Sequence, residues 1–190
     1  MKIGILALQG DFEAHGKMLE RLGAEHVFVR TPDDLSECGG LILPGGESTT
    51  HIKLLVETGL DSSVRKMAAE GGAFFGTCAG AILLARHVKG PEQQSLGLMD
   101  ITVVRNAYGR QLASDVFLLA TKLRAEPLEM VFIRAPIIES VGKDVAVLAE
   151  RDGKPVLVEQ GRAMAATFHP ELTRDTTIHE RFLKLVENRN

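Results

Sequence analysis

A cysteine between two glycines is the residue of this sequence best suited to chemistry. Gly76-Thr77-Cys78-Ala79-Gly80 follows a short apolar run and precedes a helical pattern. This is the strand–turn–helix setting of the G-x-S-x-G nucleophile elbow, with sulfur in place of oxygen. The helix after Cys78 would point free N–H groups and its positive dipole end at the sulfur, which favours the thiolate, and the N–H of Ala79 could stabilise an oxyanion. The alternative is a structural cysteine buried in a tight turn, since cysteine is often a core residue.

A thiol nucleophile needs a base and a group that orients the base, and one tripeptide supplies both. His169-Pro170-Glu171 follows the strand-like run Ala163–Phe168, so the imidazole is expected at a strand end. In an extended segment, residues two apart point to the same side, which would bring the Glu171 carboxylate beside His169. The alternative is a capped strand end with a solvated histidine and glutamate. Because the cysteine elbow is in the same chain, we favour a triad of Cys78, His169 and Glu171.

A pair of glycines after another predicted strand indicates an oxyanion-binding loop. Leu41–Leu43 is followed by Pro44-Gly45-Gly46-Glu47-Ser48. Gly46 could present a second backbone N–H to the oxyanion, and Ser48 is expected to cap the next helix. A plain glycine turn with a serine cap is the alternative, and both interpretations can hold together.

Two arginines are predicted at strand ends, where a guanidinium can bind a carboxylate with two hydrogen bonds. They are Arg105, at the start of RNAYGR, and Arg134, within FIRAP. Taken alone, each would be interpreted as a surface charge. Cys38 is expected to be a bystander at a strand edge, and His15 and His51 to be residues on helix faces. The other histidines outside the triad have no partner nearby in sequence.

The elements that must position these residues alternate between strand and helix in the first half. Strands are predicted at Lys2–Leu8, Glu25–Arg30, Leu41–Leu43 and Ala73–Phe75, and helices from Phe12, Ser48, Asp61 and Ala79. Like Ser48, Asp61 is expected to cap its helix, which should run to about Glu70. Such alternation implies a mostly parallel sheet covered on both faces, with the carboxyl ends of its strands at one ligand-binding edge.

The second half changes character. Strand-like runs at Val145–Ala149, Pro155–Val158 and Ala163–Phe168 precede a final helix from about Asp175 to Glu187. Asp152-Gly153 joins the first two runs and is a hairpin signal. We predict an α/β fold in a single domain over residues 1–190. It is a three-layer sandwich whose mostly parallel central sheet gains an antiparallel section in the C-terminal half.

Composition argues against several classes of function. The chain has 190 residues, of which 45% are hydrophobic and 25% charged, a globular composition. A net charge of −3 with no Trp argues against nucleic-acid binding. The longest mostly apolar stretch has 14 residues (72–85), against about 20 for a membrane span, and the N-terminus lacks a signal-peptide pattern. Two cysteines without C-x-x-C, and no H-x-x-x-H pair, predict neither a disulfide framework nor a metal site, and they fit a cytoplasmic location.

The order of cysteine, histidine and glutamate along the chain resembles that of the class I (triad) glutamine amidotransferases. Within them, the sequence resembles the glutaminase subunits of pyridoxal 5′-phosphate synthases. The blocks that carry this resemblance run nearly end to end in the same order: GILALQGDFEAH (4–15), LILPGGESTT (41–50), FFGTCAGAILLA (74–85), RNAYGRQ (105–111), FIRAP (132–136) and FHPEL (168–172). Leu112–Leu119 departs from the family pattern, which usually has an acidic S-F-E-like stretch there.

The resemblance implies an activity and a partner. This subunit would hydrolyse L-glutamine to L-glutamate and ammonia, without a cofactor. The ammonia would pass, shielded from water, to a barrel-shaped synthase subunit in a large hetero-oligomer. There it would be combined with a pentose phosphate and glyceraldehyde 3-phosphate. Because leaked ammonia is wasted, we expect low activity until the synthase docks and completes the oxyanion hole, with a peptide flip at Gly45-Gly46.

The resemblance also implies roles for particular residues. Cys78, His169 and Glu171 match the catalytic residues, and Gly46 and Ala79 would form the oxyanion hole. Gln9 and Gly10 match a strand end close to the partner interface and the oxyanion region. We expect Arg105 or Arg134 to pair with the α-carboxylate of glutamine and Glu47 with its α-ammonium group. The positions that match glutamine-binding residues are Gly46, Glu47, Ser48, Arg105, Ile133 and Arg134.

Three alternatives stay open. The chain could be the glutaminase subunit of another synthase, such as that for imidazole glycerol phosphate, although FIRAP and NAYGRQ favour vitamin B6 synthesis. It could be a cysteine peptidase or esterase on a similar α/β fold. It could also be a non-catalytic, flavodoxin-like binding module.

Overall fold

Strands and helices alternate through the first half of the chain, as predicted. The structure is a computed structural model that describes residues 2–105 and 114–188. The first-half strands are β1 (Lys2–Leu6), β2 (His26–Val29), β3 (Cys38–Leu43) and β4 (Ala73–Thr77). The helices between and after them are α1 (Phe12–Arg21), α2 (Pro32–Leu35), α3 (Ser48–Glu57), α4 (Leu60–Ala69) and α5 (Ala79–Leu84).

Strands dominate the second half. They are β5 (Ala85–Lys89), β6 (Met99–Val104), β7 (Ser114–Leu119), β8 (Leu128–Ile133), β9 (Ile137–Val141), β10 (Ala146–Arg151), β11 (Lys154–Gln160) and β12 (Ala163–Ala166). A short 3₁₀ helix, Pro170–Leu172, and the helix α6 (Thr177–Glu187) follow. No helix in the described ranges is both long enough and apolar enough to cross a bilayer.

The central sheet has seven strands in the order β10-β11-β12-β4-β3-β1-β2. The five strands from β12 to β2 run parallel, and β11 and β10 add the antiparallel section. The turn between β10 and β11 has positive φ at Asp152 (51°) and Gly153 (71°), as a two-residue hairpin turn requires. The predicted fold class is therefore confirmed, including the position of its antiparallel part.

Helices cover both faces of this sheet because adjacent strand residues point to opposite sides. Phe74 packs into a cluster with residues of α2 to α5, whereas Phe75 packs into a second cluster with residues of α1 and α6. The same division occurs at Leu41 and Ile42 in β3. These two cores and the sheet between them form the predicted three-layer sandwich.

Two small β-structures were not predicted. The strands β5, β6 and β9 form a three-stranded sheet, and β7 pairs with β8 in an antiparallel hairpin. Arg105 follows β6 and Arg134 follows β8, so both arginines do lie at strand ends. The rest of the block that begins at Arg105, residues 106–111, lies outside the described residues. Of the atypical segment Leu112–Leu119, only the part from residue 114 is described, as β7.

Four neighbouring parallel strands end at the same edge of the sheet. Gln9 lies shortly after β1, Gly45-Gly46 after β3, Cys78 directly after β4, and His169 shortly after β12. Residues that are up to 160 positions apart in sequence are thus delivered to one place, as expected for the carboxyl edge of a parallel sheet.

Candidate active site

Cys78 lies at a strained turn between the central strand β4 and α5. Its φ is +49°, a conformation that costs about 1–3 kcal/mol in a non-glycine residue. A Cβ at Gly80 would lie 1.9 Å from the carbonyl oxygen of Leu43, so only glycine fits two residues after the cysteine. The Cys78 N–H donates to the carbonyl of Ala166 in β12 (2.8 Å), which ties the elbow to the neighbouring strand. The strand–elbow–helix geometry predicted for the nucleophile is present.

His169 and Glu171 form a buried pair beside this elbow. His169 Nδ1 lies 2.7 Å from Glu171 Oε1, and the two residues are 8% and 5% exposed. The expectation that Glu171 lies beside His169 was right, but its reason was wrong. The segment from Pro170 to Leu172 is a 3₁₀ turn rather than extended chain, because Pro170 fixes φ and cannot donate to a strand ladder.

The electrostatics of the pair favour a protonated imidazole. Burial alone would lower the pKa of His169, but hydrogen bonds with Cys78 and Glu171 raise it to about 10. The pKa of Glu171 is lowered: burial would raise it, and the neighbouring His15 and His169 outweigh that effect. With Nδ1 occupied by the carboxylate, Nε2 is the nitrogen left for the thiol. Cys78 and His169 line the same cavity, so a proton exchange between the thiol and this imidazole is the chemistry that the arrangement suggests.

The second cysteine has a different environment. Cys38 opens β3, is buried, and its thiol donates to the carbonyl of Asp34 (3.3 Å). Burial raises the pKa of the Cys38 thiol to about 11. Cys38 is therefore a poor nucleophile, as expected of a bystander.

The glycine loop after β3 is held by Gln9. Gln9 Nε2 donates to the carbonyl of Glu47 (3.0 Å), and the N–H of Glu47 donates to Gln9 Oε1 (3.4 Å). Gly46 has φ +146°, and a Cβ there would lie 2.7 Å from the Gln9 side chain. A Cβ at Gly10 would lie 1.9 Å from the carbonyl oxygen of Gly45, so Gly10 also packs on this loop. The structure thus brings Gln9 and Gly10 against the predicted oxyanion loop.

The helix cap at this loop was wrongly predicted. The N-cap of α3 is Glu47, whose Oε2 accepts hydrogen bonds from the N–H (2.7 Å) and hydroxyl (3.0 Å) of Thr50 and from the hydroxyl of Thr49. Burial would raise the pKa of Glu47, but these donors lower it to about 2. Ser48 is instead the first residue of the helix, because the longer carboxylate reaches the free N–H groups first. Only Oε1 of Glu47 remains for a ligand.

The second predicted helix cap was also wrong. Asp61 lies within the first turn of α4, whose N-cap is Gly59 in a left-handed conformation (φ +72°). The Asp61 carboxylate in the first turn still interacts favourably with the helix dipole, but it does not cap the N-terminus of the helix.

A glutamine side chain absent from the sequence predictions joins two predicted binding residues. Gln93 Oε1 accepts a hydrogen bond from Ser48 Oγ (2.9 Å) and another from Arg105 Nη1. Arg105 Nη2 also lies 3.4 Å from Glu47 Oε1, and the Arg105 side chain is only 11% exposed. Arg105 is therefore held in place, whereas Arg134 is exposed and has φ +44°. No local signal marks Gln93, because its partners are 12 and 45 residues away.

The elbow, the glycine loop, His169 and the two arginines surround one cavity of about 450 Å³. Asp11, Gly45, Ile82, Pro136 and Leu172 complete its wall. Gln9, Gly10 and Glu171 support the cavity from outside its surface. The predicted residues that line it are Gly46, Glu47, Ser48, Cys78, Ala79, Arg105, Ile133, Arg134 and His169. In the described part of the chain, no group of three or more His, Cys, Asp or Glu side chains is arranged to hold a metal ion.

Two histidines outside the predicted set lie behind the cavity. His15 and His179 are fully buried and contact each other, with His15 Nδ1 3.0 Å from His179 Nε2. His15 was predicted to be a residue on a helix face, which is correct, but that face is turned into the core. The sequence could have indicated this burial, because His15 shares an apolar stripe with Phe12 and Leu19. A histidine in such a stripe is buried and needs a polar partner.

The fold and the site together define a class of protein. A model of the SNO glutamine amidotransferase family matches residues 5–188. The chain therefore belongs to the SNO glutamine amidotransferase family.

Individual relatives narrow this assignment. The chain is 57% identical to the pyridoxal 5′-phosphate synthase subunit PdxT of Koribacter versatilis, over 100% of this chain and 98% of the relative. It is 53% identical to the same-named subunit of Solibacter usitatus, over 96% of this chain and 97% of the relative. A crystal structure described as a glutamine amidotransferase is 48% identical and superposes with a TM-score of 0.92, over 97% of this chain and 98% of that one.

Proposed function

We propose that this protein hydrolyses L-glutamine to L-glutamate and ammonia as the glutaminase subunit of a pyridoxal 5′-phosphate synthase. One observation carries the proposal: strained Cys78 and His169, itself bonded to buried Glu171, line the same 450 Å³ cavity. The family membership and the names of the full-length relatives support the same activity.

The reaction follows from the positions of these groups. The Cys78 thiolate attacks the side-chain amide carbon of glutamine. The His169 imidazolium then protonates the leaving nitrogen, which departs as ammonia and leaves a γ-glutamyl thioester. Neutral His169 next takes a proton from water, whose oxygen attacks the thioester and releases glutamate. Glu171 keeps His169 oriented and stabilises its charged form.

Negative charge on the carbonyl oxygen must be held during both attacks. The N–H groups of Gly46 and Ala79 are the proposed donors, and both residues line the cavity. Removing one such donor from an enzyme typically reduces the rate by about 10²–10³.

The substrate is an α-amino acid, which carries a carboxylate and an ammonium group on one carbon. Arg105 and Glu47 present opposite charges 3.4 Å apart at the cavity wall, matching that pattern. We assign the α-carboxylate to Arg105, because Gln93 already holds its guanidinium and little further ordering is needed. Glu47 Oε1 would bind the ammonium group. Arg134 is exposed and would have to be ordered on binding.

The proposed partner is a barrel-shaped synthase subunit that consumes the ammonia in a hetero-oligomer in the cytoplasm. Gln9 and Gly10 lie against the Gly45-Gly46 loop, so a partner that contacts them could reshape the oxyanion hole. We therefore expect docking to raise glutaminase activity. Equal rates with and without the synthase would contradict this activation.

Co-purification with the synthase tests the proposal directly. Glutamate release from glutamine should require Cys78 and should increase when the synthase is added, whereas peptide and ester substrates should not be cleaved. Activation by an imidazole glycerol phosphate synthase subunit instead would identify the alternative partner. Cleavage of peptides or esters in preference to glutamine would indicate a general cysteine hydrolase. Full ammonia release by a Cys78→Ser variant would contradict the proposed nucleophile.

A further inference from the structure

The second carboxylate oxygen of Glu171 is buried without an ordinary hydrogen bond. Oε1 is bonded to His169, but Oε2 has no hydrogen-bond partner among the described residues, although the side chain is fully buried. A bare carboxylate oxygen inside a protein is costly. The polar atom that faces it is His15 Nε2, at 3.5 Å. The triad therefore continues inward to a residue on α1.

His15 touches the other half of the triad as well. Its Nε2 lies 3.1 Å from Oγ1 of Thr77, the residue directly before Cys78. Its Nδ1 lies 3.0 Å from Nε2 of His179 on α6, and the Phe75 ring packs edge-on against both imidazoles. One imidazole thus lies between the strand end that carries the thiol and the turn that carries the carboxylate.

The partners of the two imidazoles decide which nitrogens carry protons. If His15 is protonated at Nε2, this N–H donates to Thr77 Oγ1 and presents its positive end to Glu171 Oε2 at 3.5 Å, while Nδ1 accepts from His179 Nε2. Nδ1 of His179, which has no partner in the described structure, is then an unprotonated acceptor. The opposite arrangement would turn a lone pair of His15 toward the carboxylate and leave a buried N–H of His179 unpaired. The first arrangement costs less, because an unpaired buried donor is the rarer case.

This environment disfavours the charged form of both histidines. Burial lowers the pKa of His15 despite Glu171 and Asp11 nearby, and burial together with His15 lowers the pKa of His179 to about 3. A neutral N–H can orient the carboxylate without cancelling its charge. The full negative charge of Glu171 then remains available to the His169 imidazolium.

We propose that His15 is a positioning residue of the glutaminase, which holds Glu171 and the Thr77–Cys78 strand end through a neutral Nε2–H whose tautomer is set by His179. The positioning role of His15 in catalysis rests on the proposed glutaminase activity, whereas the tautomer of His15 does not depend on any activity.

The tautomer is tested by ¹⁵N NMR of the histidine rings in the unmodified protein, with His15→Gln used to assign the His15 signals. We expect His15 to be neutral and protonated at Nε2 throughout pH 6 to 8. An Nδ1–H tautomer, or an imidazolium in that range, would overturn the proposal. Because this measurement needs no substrate, it gives an answer even if glutamine is not the substrate.

The kinetic test compares His15→Leu with His15→Gln in the complete complex with the synthase. Leucine removes the donor, whereas glutamine can place an N–H near the same point. In metal sites, loss of a hydrogen-bond partner behind a ligand typically costs about 10–100-fold in affinity or activity, and His15 stands in the same relation to Glu171. We expect a loss of this size in kcat for His15→Leu with KM unchanged, and substantial recovery in His15→Gln.

The pH profile separates positioning from general damage to the fold. The groups that face Glu171 are His169, His15 and, farther away, His179, while Asp11 acts on His15. Without the His15 donor the pKa of Glu171 rises. The acid limb of kcat/KM in His15→Leu should therefore move to higher pH.

Phe182→Leu is the matched control. Phe182 packs on Phe75 in the same core but makes no hydrogen bond to the triad. Phe182→Leu should lower the free energy of unfolding and leave the acid limb of kcat/KM at the wild-type pH. Folded His15→Leu with the parent kcat and pH profile would overturn the proposal, as would identical profiles for His15→Leu and Phe182→Leu. If wild-type protein releases no glutamate while the NMR result holds, the proposed function fails and the tautomer assignment stands.

Discussion

His169 Nδ1 lies 2.7 Å from Glu171 Oε1 in a pair from which solvent is nearly excluded. Glu171→Gln keeps an oxygen that can accept this hydrogen bond but removes the charge. The pKa of His169 should then fall from about 10, because the carboxylate no longer stabilises the imidazolium. We expect kcat for glutamine hydrolysis to fall by about 10²-fold or more, and the basic limb of its pH profile to move to lower pH. A basic limb at the wild-type position would show that the charge of Glu171 does not act on His169.

The two thiols should differ sharply in reactivity. Cys78 lines the cavity together with His169, whereas burial raises the pKa of the Cys38 thiol to about 11. At pH 7, iodoacetamide should alkylate Cys78 selectively and abolish glutaminase activity, as measured by mass spectrometry and glutamate release. Cys38→Ala should retain activity and the same labelling. Equal modification of both cysteines in folded protein would contradict the assignment of Cys78 as the activated thiol.

Gln93 should affect substrate binding more than turnover. Gln93→Leu removes the acceptor shared by Ser48 and Arg105, so the Arg105 guanidinium loses its anchor. A hydrogen bond to a charged group is worth about 1.5–3 kcal/mol, so we expect KM for glutamine to rise at least about tenfold with little change in kcat. Gln94→Leu, at the exposed neighbouring position, is the control and should leave KM unchanged. A drop in kcat without a rise in KM would argue against this role.

Glu47 should contribute to stability in a pH-dependent way through its cap on α3. The folded-state pKa of about 2 is below the ordinary value of 4.5, so the stabilisation is present above pH 4.5 and is lost as the pH falls toward 2. Glu47→Ala should lower the free energy of unfolding at pH 7 by about 1 kcal/mol, a typical cap contribution. Urea unfolding at pH 7 and at pH 2.5 measures the difference, which should shrink at the lower pH.

Glu57→Ala provides the comparison for this cap. Glu57 lies on the same helix and forms only an exposed pair with Lys53 (3.8 Å), which is worth little. Glu57→Ala should change the free energy of unfolding at pH 7 by much less than Glu47→Ala does. If both variants lose the same free energy, the capping role of Glu47 is contradicted.

The sequence was informative wherever the determining interactions are local. The alternation of apolar strands with helical stripes predicted the parallel sheet, and Asp152-Gly153 predicted the hairpin between β10 and β11. The elbow at Cys78 was visible because its strained turn requires small residues on both sides, and these stand next to it in the chain. Such features depend on residues within a few positions of one another.

Features set by distant contacts were missed. Gln93 and His15 find their partners across the molecule. The apolar stripe around His15 indicates that it needs a polar partner, but nothing near either residue in sequence identifies the partner. The sheet of β5, β6 and β9 was missed for a related reason, because β5 follows α5 at Ala85 without a turn residue between them. The cap at Ser48 was wrongly predicted because two adjacent side chains can cap α3. The longer side chain, that of Glu47, takes this position.

The insertion of β12 beside β4 has a consequence for biosynthesis. His169 follows β12, which is the last strand in the chain. β12 must insert between β4 and β11, and both of these strands are synthesised before it. A chain that has reached only residue 160 contains Cys78 but lacks His169 and also Ala166, whose carbonyl accepts the Cys78 N–H. If Cys78 and His169 act together as proposed, a polypeptide that lacks β12 and the residues after it cannot hydrolyse glutamine.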